Sequence, residues 1–95
     1  MEKSKMNIFI LDGTKMTDRE SCHDYIARIM HFPDYYGHNL DALYDCLGEY
    51  DADSTVIILN KTILLMYLDD YGEKLLETLS DAADQPGSFH LIVND

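Results

Sequence analysis

Two aspartates four residues apart, Asp41 and Asp45, follow two adjacent tyrosines, Tyr35 and Tyr36, in the stretch HFPDYYGHNLDALYDCL, residues 31–47. On a helix that spacing makes the carboxylates neighbours, and like charges so placed cost an isolated helix about 0.2–0.5 kcal/mol. A carboxylate pair can hydrolyse a glycoside as acid and base. That chemistry needs a sugar-sized cleft, which a chain of 95 residues rarely builds. Two readings of the pair remain open from periodicity alone: a solvated acidic face, or a face meant to meet positive charge.

The other reactive side chains do not assemble into a reaction. His23, His31, His38 and His90 are scattered without ligand spacing, so neither a metal nor another cofactor is expected. Cys22 and Cys46 form no C-x-x-C pair and no zinc pattern. Both fall on apolar helix faces and are expected to be buried thiols. No nucleophile–base pairing, glycine-rich phosphate loop or Walker pattern appears, and an enzyme is not expected. Of Tyr35 and Tyr36, one is expected to pack inward and the other to be free for contact, because neighbouring loop side chains rarely both stay outside. An exposed tyrosine buries much area with little rotamer freedom.

These residues need elements to hold them. Three short apolar runs read as strands: Asn7–Leu11, Thr55–Leu59 and Phe89–Val93. The middle run is almost continuously apolar, the pattern of a strand covered on both faces. Helix-length segments separate the runs, which predicts parallel pairing through crossovers. The first helix is expected to open at Thr17 with Glu20 completing a capping box. Cys22, Ile26, Ile29 and Met30 then recur at helical spacing, and Pro33 ends the segment. The second helix is expected to start at Asn39, a favoured cap residue. Steps of about 100° put Leu40, Leu43, Cys46, Leu47 and Tyr50 on one side of it, and Asp41, Tyr44, Asp45 and Glu49 on the other. Lys61–Leu68 predicts a short third helix. A fourth, capped by Asp69 or Asp70, carries the stripe Leu75, Leu76, Leu79, Ala82 and Ala83 and stops at Pro86-Gly87.

The expected fold is α/β: one small domain over residues 1–95, with residues 1–6 frayed. It has a three-stranded parallel sheet in order 1-2-3, packed with about four helices whose main members share one face. A domain of this size buries roughly 60–70% of its unfolded surface, enough for a core without metals or disulfides. No apolar run approaches the roughly 20 residues of a membrane helix. The N-terminal apolar run is too short for a secretory signal, so a cytoplasmic location is expected, where a disulfide is disfavoured. The net charge is −11, and it is uneven: up to Met30 basic and acidic residues balance, whereas from His31 onward Lys61 and Lys74 alone oppose thirteen acids. Such a field repels nucleic acid and membrane phosphates and attracts basic proteins, although solubility alone also favours it.

The segment Pro33–Leu47, PDYYGHNLDALYDCL, closely resembles the signature of the barstar family, intracellular inhibitors of secreted ribonucleases such as barnase. The resemblance runs from about Asn7 to Val93 and includes Asp12-Gly13, His23 and Gly72. It implies a small α/β domain that plugs a ribonuclease active site without doing chemistry. It implies that Asp45 sits where a substrate phosphate would go, that Asp41 also faces the basic groove, and that Tyr35 packs near the catalytic histidine. Gly37 and Asn39 would shape the loop and touch the partner, with His38, Ala42 and Tyr44 completing the contact set. Tyr44 stands where the family has tryptophan, His38 where it has glutamate, and Ala82 where it has a further contact carboxylate.

The expected partner is therefore a basic, secreted, barnase-like ribonuclease, bound by a protein that is monomeric when free. The alternative is an immunity protein or adaptor that uses the same scaffold against another cationic protein.

Overall fold

The computed structural model describes residues 6–95. The expected fraying of residues 1–6 thus lies, for residues 1–5, outside the described residues. The elements run β1 (Asn7–Asp12), α1 (Arg19–Met30), α2 (Leu40–Leu47), β2 (Ser54–Leu59), α3 (Lys61–Leu68), α4 (Asp70–Ala83) and β3 (His90–Val93). A turn of 3-10 helix, Gly13–Lys15, follows β1. The three strands pair in parallel in the order β1-β2-β3, as the alternation of apolar runs and helical segments implied.

Alternation along the strands sends one set of side chains to the helices. Phe9 pairs across to Val56 and Leu11 to Ile58, while Val56 pairs on to Leu91. Leu11, Val56 and Ile58 are fully buried against Cys22, Ile26 and Met30 of α1, Leu43 and Leu47 of α2, and Leu75 and Leu79 of α4. The opposite face stays open. Ile10, Ile57 and Ile92 form a row across the sheet, yet Ile10 is 50% exposed and Ile92 45%. This corrects the reading of β2 as covered on both faces. Ile57 is half-buried because its strand is central, shielded by apolar neighbours on either side rather than by a helix.

The helix ends also refine the sequence reading. Asp18, not Thr17, caps α1: it has extended backbone, and its side chain accepts from the Ser21 amide at 2.8 Å. With Asp18 as the cap, Glu20 falls at the second helical position, one too early to close a capping box. At the other end His31 turns left-handed at φ 61°, and the Phe32 amide donates to the Ala27 carbonyl at 2.9 Å. The chain thus leaves the helix two residues before Pro33, which bars Phe32 from the α region. Asp69 stands at the start of α4 but makes no side-chain cap bond. Its φ of 51° is not the extended backbone that capping requires.

Behind the sheet ends, Asp12 closes the turn after β1. It accepts from the Thr14 amide and hydroxyl and from Asn60 Nδ2, each at 2.9 Å. Gly13 is obligatory there, because a Cβ would lie 2.5 Å from the Asn60 carbonyl oxygen.

Candidate functional site

The site is built on the loop between α1 and α2 and on α2 itself. Asn39 fixes the start of the helix from both sides. Its side-chain oxygen accepts from the Ala42 amide at 2.8 Å, and its Nδ2 donates to the Gly37 carbonyl at 3.2 Å. A Cβ on Gly37 would meet that same Nδ2 at 3.3 Å, so the small residue lets the loop fold tightly over the cap. His38 between them takes a left-handed backbone, φ 54°.

Of the two adjacent tyrosines, one packs inward and the other faces solvent. Tyr35 is 88% exposed and Tyr36 only 6%. Tyr36 packs on Phe32, ring centroids 4.9 Å apart, and its hydroxyl lies 2.6 Å from Nδ1 of His23. The other ring nitrogen of His23 lies 2.6 Å from the Tyr71 hydroxyl on α4. His23 is buried on α1, and burial, helped by nearby His38 and opposed by Asp24, holds its pKa below the ordinary value. A neutral imidazole has one donor and one acceptor nitrogen, so one tyrosine receives its proton bond and the other supplies one. Burial pushes the Tyr36 hydroxyl well above its usual range, and burial likewise raises Tyr71. The hydroxyls therefore stay protonated, and the strut ties α1, the loop and α4 together.

On α2 the inward side is Leu43 and Leu47, with Leu40, Cys46 and Tyr50 half-buried. Ala42 is half-buried beneath the loop, while Asp41, Tyr44 and Asp45 are exposed. Asp41 lies in the first turn, where the helix dipole favours a carboxylate. Neither aspartate has an ion-pair partner among the described residues. The acidic ridge is therefore presented outward and unneutralised. Beside it a groove of about 460 Å³ runs from Tyr35 to Asp45, floored by Phe32 and Cys46 and walled by Glu49 and Tyr50. Cys46 corrects the expectation of two buried thiols: Cys22 is fully buried, its thiol pushed up to about 12 by burial and then by Asp18, whereas Cys46 borders this groove.

The structure thus places Tyr35, Gly37, His38, Asn39, Asp41, Ala42, Tyr44 and Asp45 on one continuous loop-and-helix segment. Ala82 is buried on α4, 4% exposed, while Asp81 and Asp84 face solvent. The sequence reading missed Glu49 as a wall of the groove and His23 as the strut. A signal for His23 was present, since it shares the spacing of Ile26 and Met30 on the apolar stripe. It also missed that His38 approaches α1, where its Nε2 lies 3.0 Å from Oδ1 of Asp24.

A family model described as Barstar (barnase inhibitor) matches residues 6–94. A protein of Bacillus subtilis (strain 168), named "Putative ribonuclease inhibitor YrdF", is 37% identical over 81 residues, spanning 84% of this chain and 89% of that relative. Together with the parallel three-stranded sheet and its four helices, these matches lead to one conclusion: the chain belongs to the barstar family.

Proposed function

We propose that this chain is a ribonuclease inhibitor that occupies the active-site groove of a basic, secreted, barnase-like enzyme. It acts in the cytoplasm, is a monomer when free, and does no chemistry of its own. The observation that carries this reading is the pair Asp41 and Asp45, exposed and without ion-pair partners among the described residues, on a helix fixed by the Asn39 cap. A ribonuclease groove is cationic because it holds phosphates. Carboxylates set on a rigid helix mimic those phosphates, and charge-assisted hydrogen bonds to Arg and Lys offset the repulsion between them. Tyr35 supplies the apolar contact beside the charges, with Gly37, His38, Asn39, Ala42 and Tyr44 forming the surrounding surface. Support comes also from membership of the inhibitor family and from the name of the Bacillus relative.

The test is titration of the chain into a barnase-like ribonuclease assay. The reading expects near-stoichiometric inhibition and an association rate that falls as salt screens the approach. A second reading is an immunity protein or adaptor that binds another cationic protein with the same surface. It is favoured by Ala82, which is buried and uncharged where the family resemblance puts a contact carboxylate. Absence of inhibition across small basic ribonucleases would select it.

A further inference from the structure

We propose that Glu20, Asp24 and His38 form a binding site for a divalent transition-metal ion, zinc foremost, that joins α1 to the loop before α2. The ligand atoms of these three residues all lie within 4.8 Å of one another. They come from two separate elements. Glu20 and Asp24 stand four apart on α1 and so share one face. His38 lies on the loop, its ring edge-on to Tyr36 at 5.3 Å and to His23 at 6.3 Å, with Nε2 directed at Asp24.

Zinc binds carboxylate and imidazole at about 2.0–2.2 Å in a tetrahedral shell, so two ligand atoms of one ion lie about 3.3–3.6 Å apart. Glu20, Asp24 and His38 are all exposed, so side-chain rotation that draws the ligand atoms together by on the order of an ångström closes the set around such an ion. One imidazole with two carboxylates suits a borderline ion better than magnesium, which prefers an all-oxygen shell. No Lys or Arg forms an ion pair with Glu20 or Asp24 among the described residues. Arg19, the nearest cation in sequence, instead lies over the Tyr71 ring, 4.3 Å from its centroid. An open hollow of about 430 Å³ borders Glu20 and His38, with Arg19, Asp41 and Lys74 also on its lining, and leaves room for the water that completes a three-ligand site. The competing thiol Cys22 is buried, and His31 and His90 stand outside the cluster. The site shares His38 with the proposed contact surface, and its test reads metal binding rather than ribonuclease inhibition.

The test is isothermal titration of zinc chloride into the whole chain at neutral pH, with magnesium chloride as the comparison ion. The expected result is saturable one-to-one binding of zinc and none of magnesium. His38→Ala should weaken the zinc affinity by at least about tenfold, as loss of a ligand does, with Glu20→Gln and Asp24→Asn following. Amide spectra of the unmodified chain should shift at Glu20, Asp24 and Gly37–Asn39, a readout that holds even if a variant folds poorly. No saturation, an affinity unchanged in His38→Ala, or shifts centred on Cys46, His31 or His90 would overturn the site.

Discussion

The Tyr36 hydroxyl lies 2.6 Å from Nδ1 of His23, thirteen residues earlier in the chain, and this contact ties the loop before α2 to the core. Tyr36→Phe keeps the ring packing and removes the hydroxyl. It leaves a buried imidazole nitrogen unpaired, which costs about 1–3 kcal/mol. His23→Ala removes both tyrosine contacts and opens a void, so the loss should be larger, about 2–5 kcal/mol. Urea unfolding followed by circular dichroism measures both, and equal midpoints for wild type and His23→Ala would show that the strut carries no load.

The same strut makes stability depend on pH. Burial depresses the His23 pKa in the folded chain, while the unfolded chain titrates near the ordinary value of 6.5. Above that value His23 is neutral in both states and its contribution is complete. As pH falls through it, the unfolded chain takes up the proton first, so stability declines until folded His23 is protonated too. The urea midpoint should drop between about pH 7.5 and about pH 5.5. His23→Gln, which keeps one donor and one acceptor, should flatten the slope in that window. A slope identical to wild type would assign the pH dependence to other groups.

Asn39 holds the helix start through its bond to the Ala42 amide and holds the loop through Gly37. Asn39→Ala should destabilise the fold by about 0.5–2 kcal/mol, the usual loss for an N-cap. Its effect on inhibition should exceed what the unfolded fraction explains, because the first turn carries Asp41. Thermal melts beside inhibition assays separate the two effects.

Tyr35 and Tyr36 should divide function from stability. Tyr35 is 88% exposed, so Tyr35→Ala should change stability by no more than about 0.5 kcal/mol. As an exposed aromatic beside the acidic ridge, it should still weaken inhibition by at least about fivefold, the loss expected of a contact worth more than about 1 kcal/mol. Tyr36→Ala should instead cost about 3–5 kcal/mol of folding stability. Parallel unfolding and inhibition curves for the two variants check the assignment.

What was legible in the sequence follows from range. The strand positions, the Asn39 cap and the outward side of α2 depend on spacing within a few residues, and the residues there obey it, while strand order follows from the crossover rule. The cap of α1 shifted by one residue because Thr17 and Asp18 are both good caps, and only the backbone distinguishes them. Other features depend on where the loop folds. His23 meets Tyr71 across 48 residues, and His38 reaches Asp24 only through its left-handed backbone. The open sheet face was hidden for a related reason: a central strand reads as continuously apolar whether helices or neighbouring strands shield it.

The central claim is that Asp45, with Asp41, stands in for phosphate inside a cationic groove. Inhibition of a barnase-like ribonuclease by wild type, Asp41→Ala and Asp45→Ala at fixed salt tests it most directly. The account predicts that both variants fold normally, that Asp45→Ala weakens inhibition at least about thirtyfold, the scale of a hot-spot contact, and that Asp41→Ala weakens it less. Full inhibition by both variants at wild-type concentrations would contradict it.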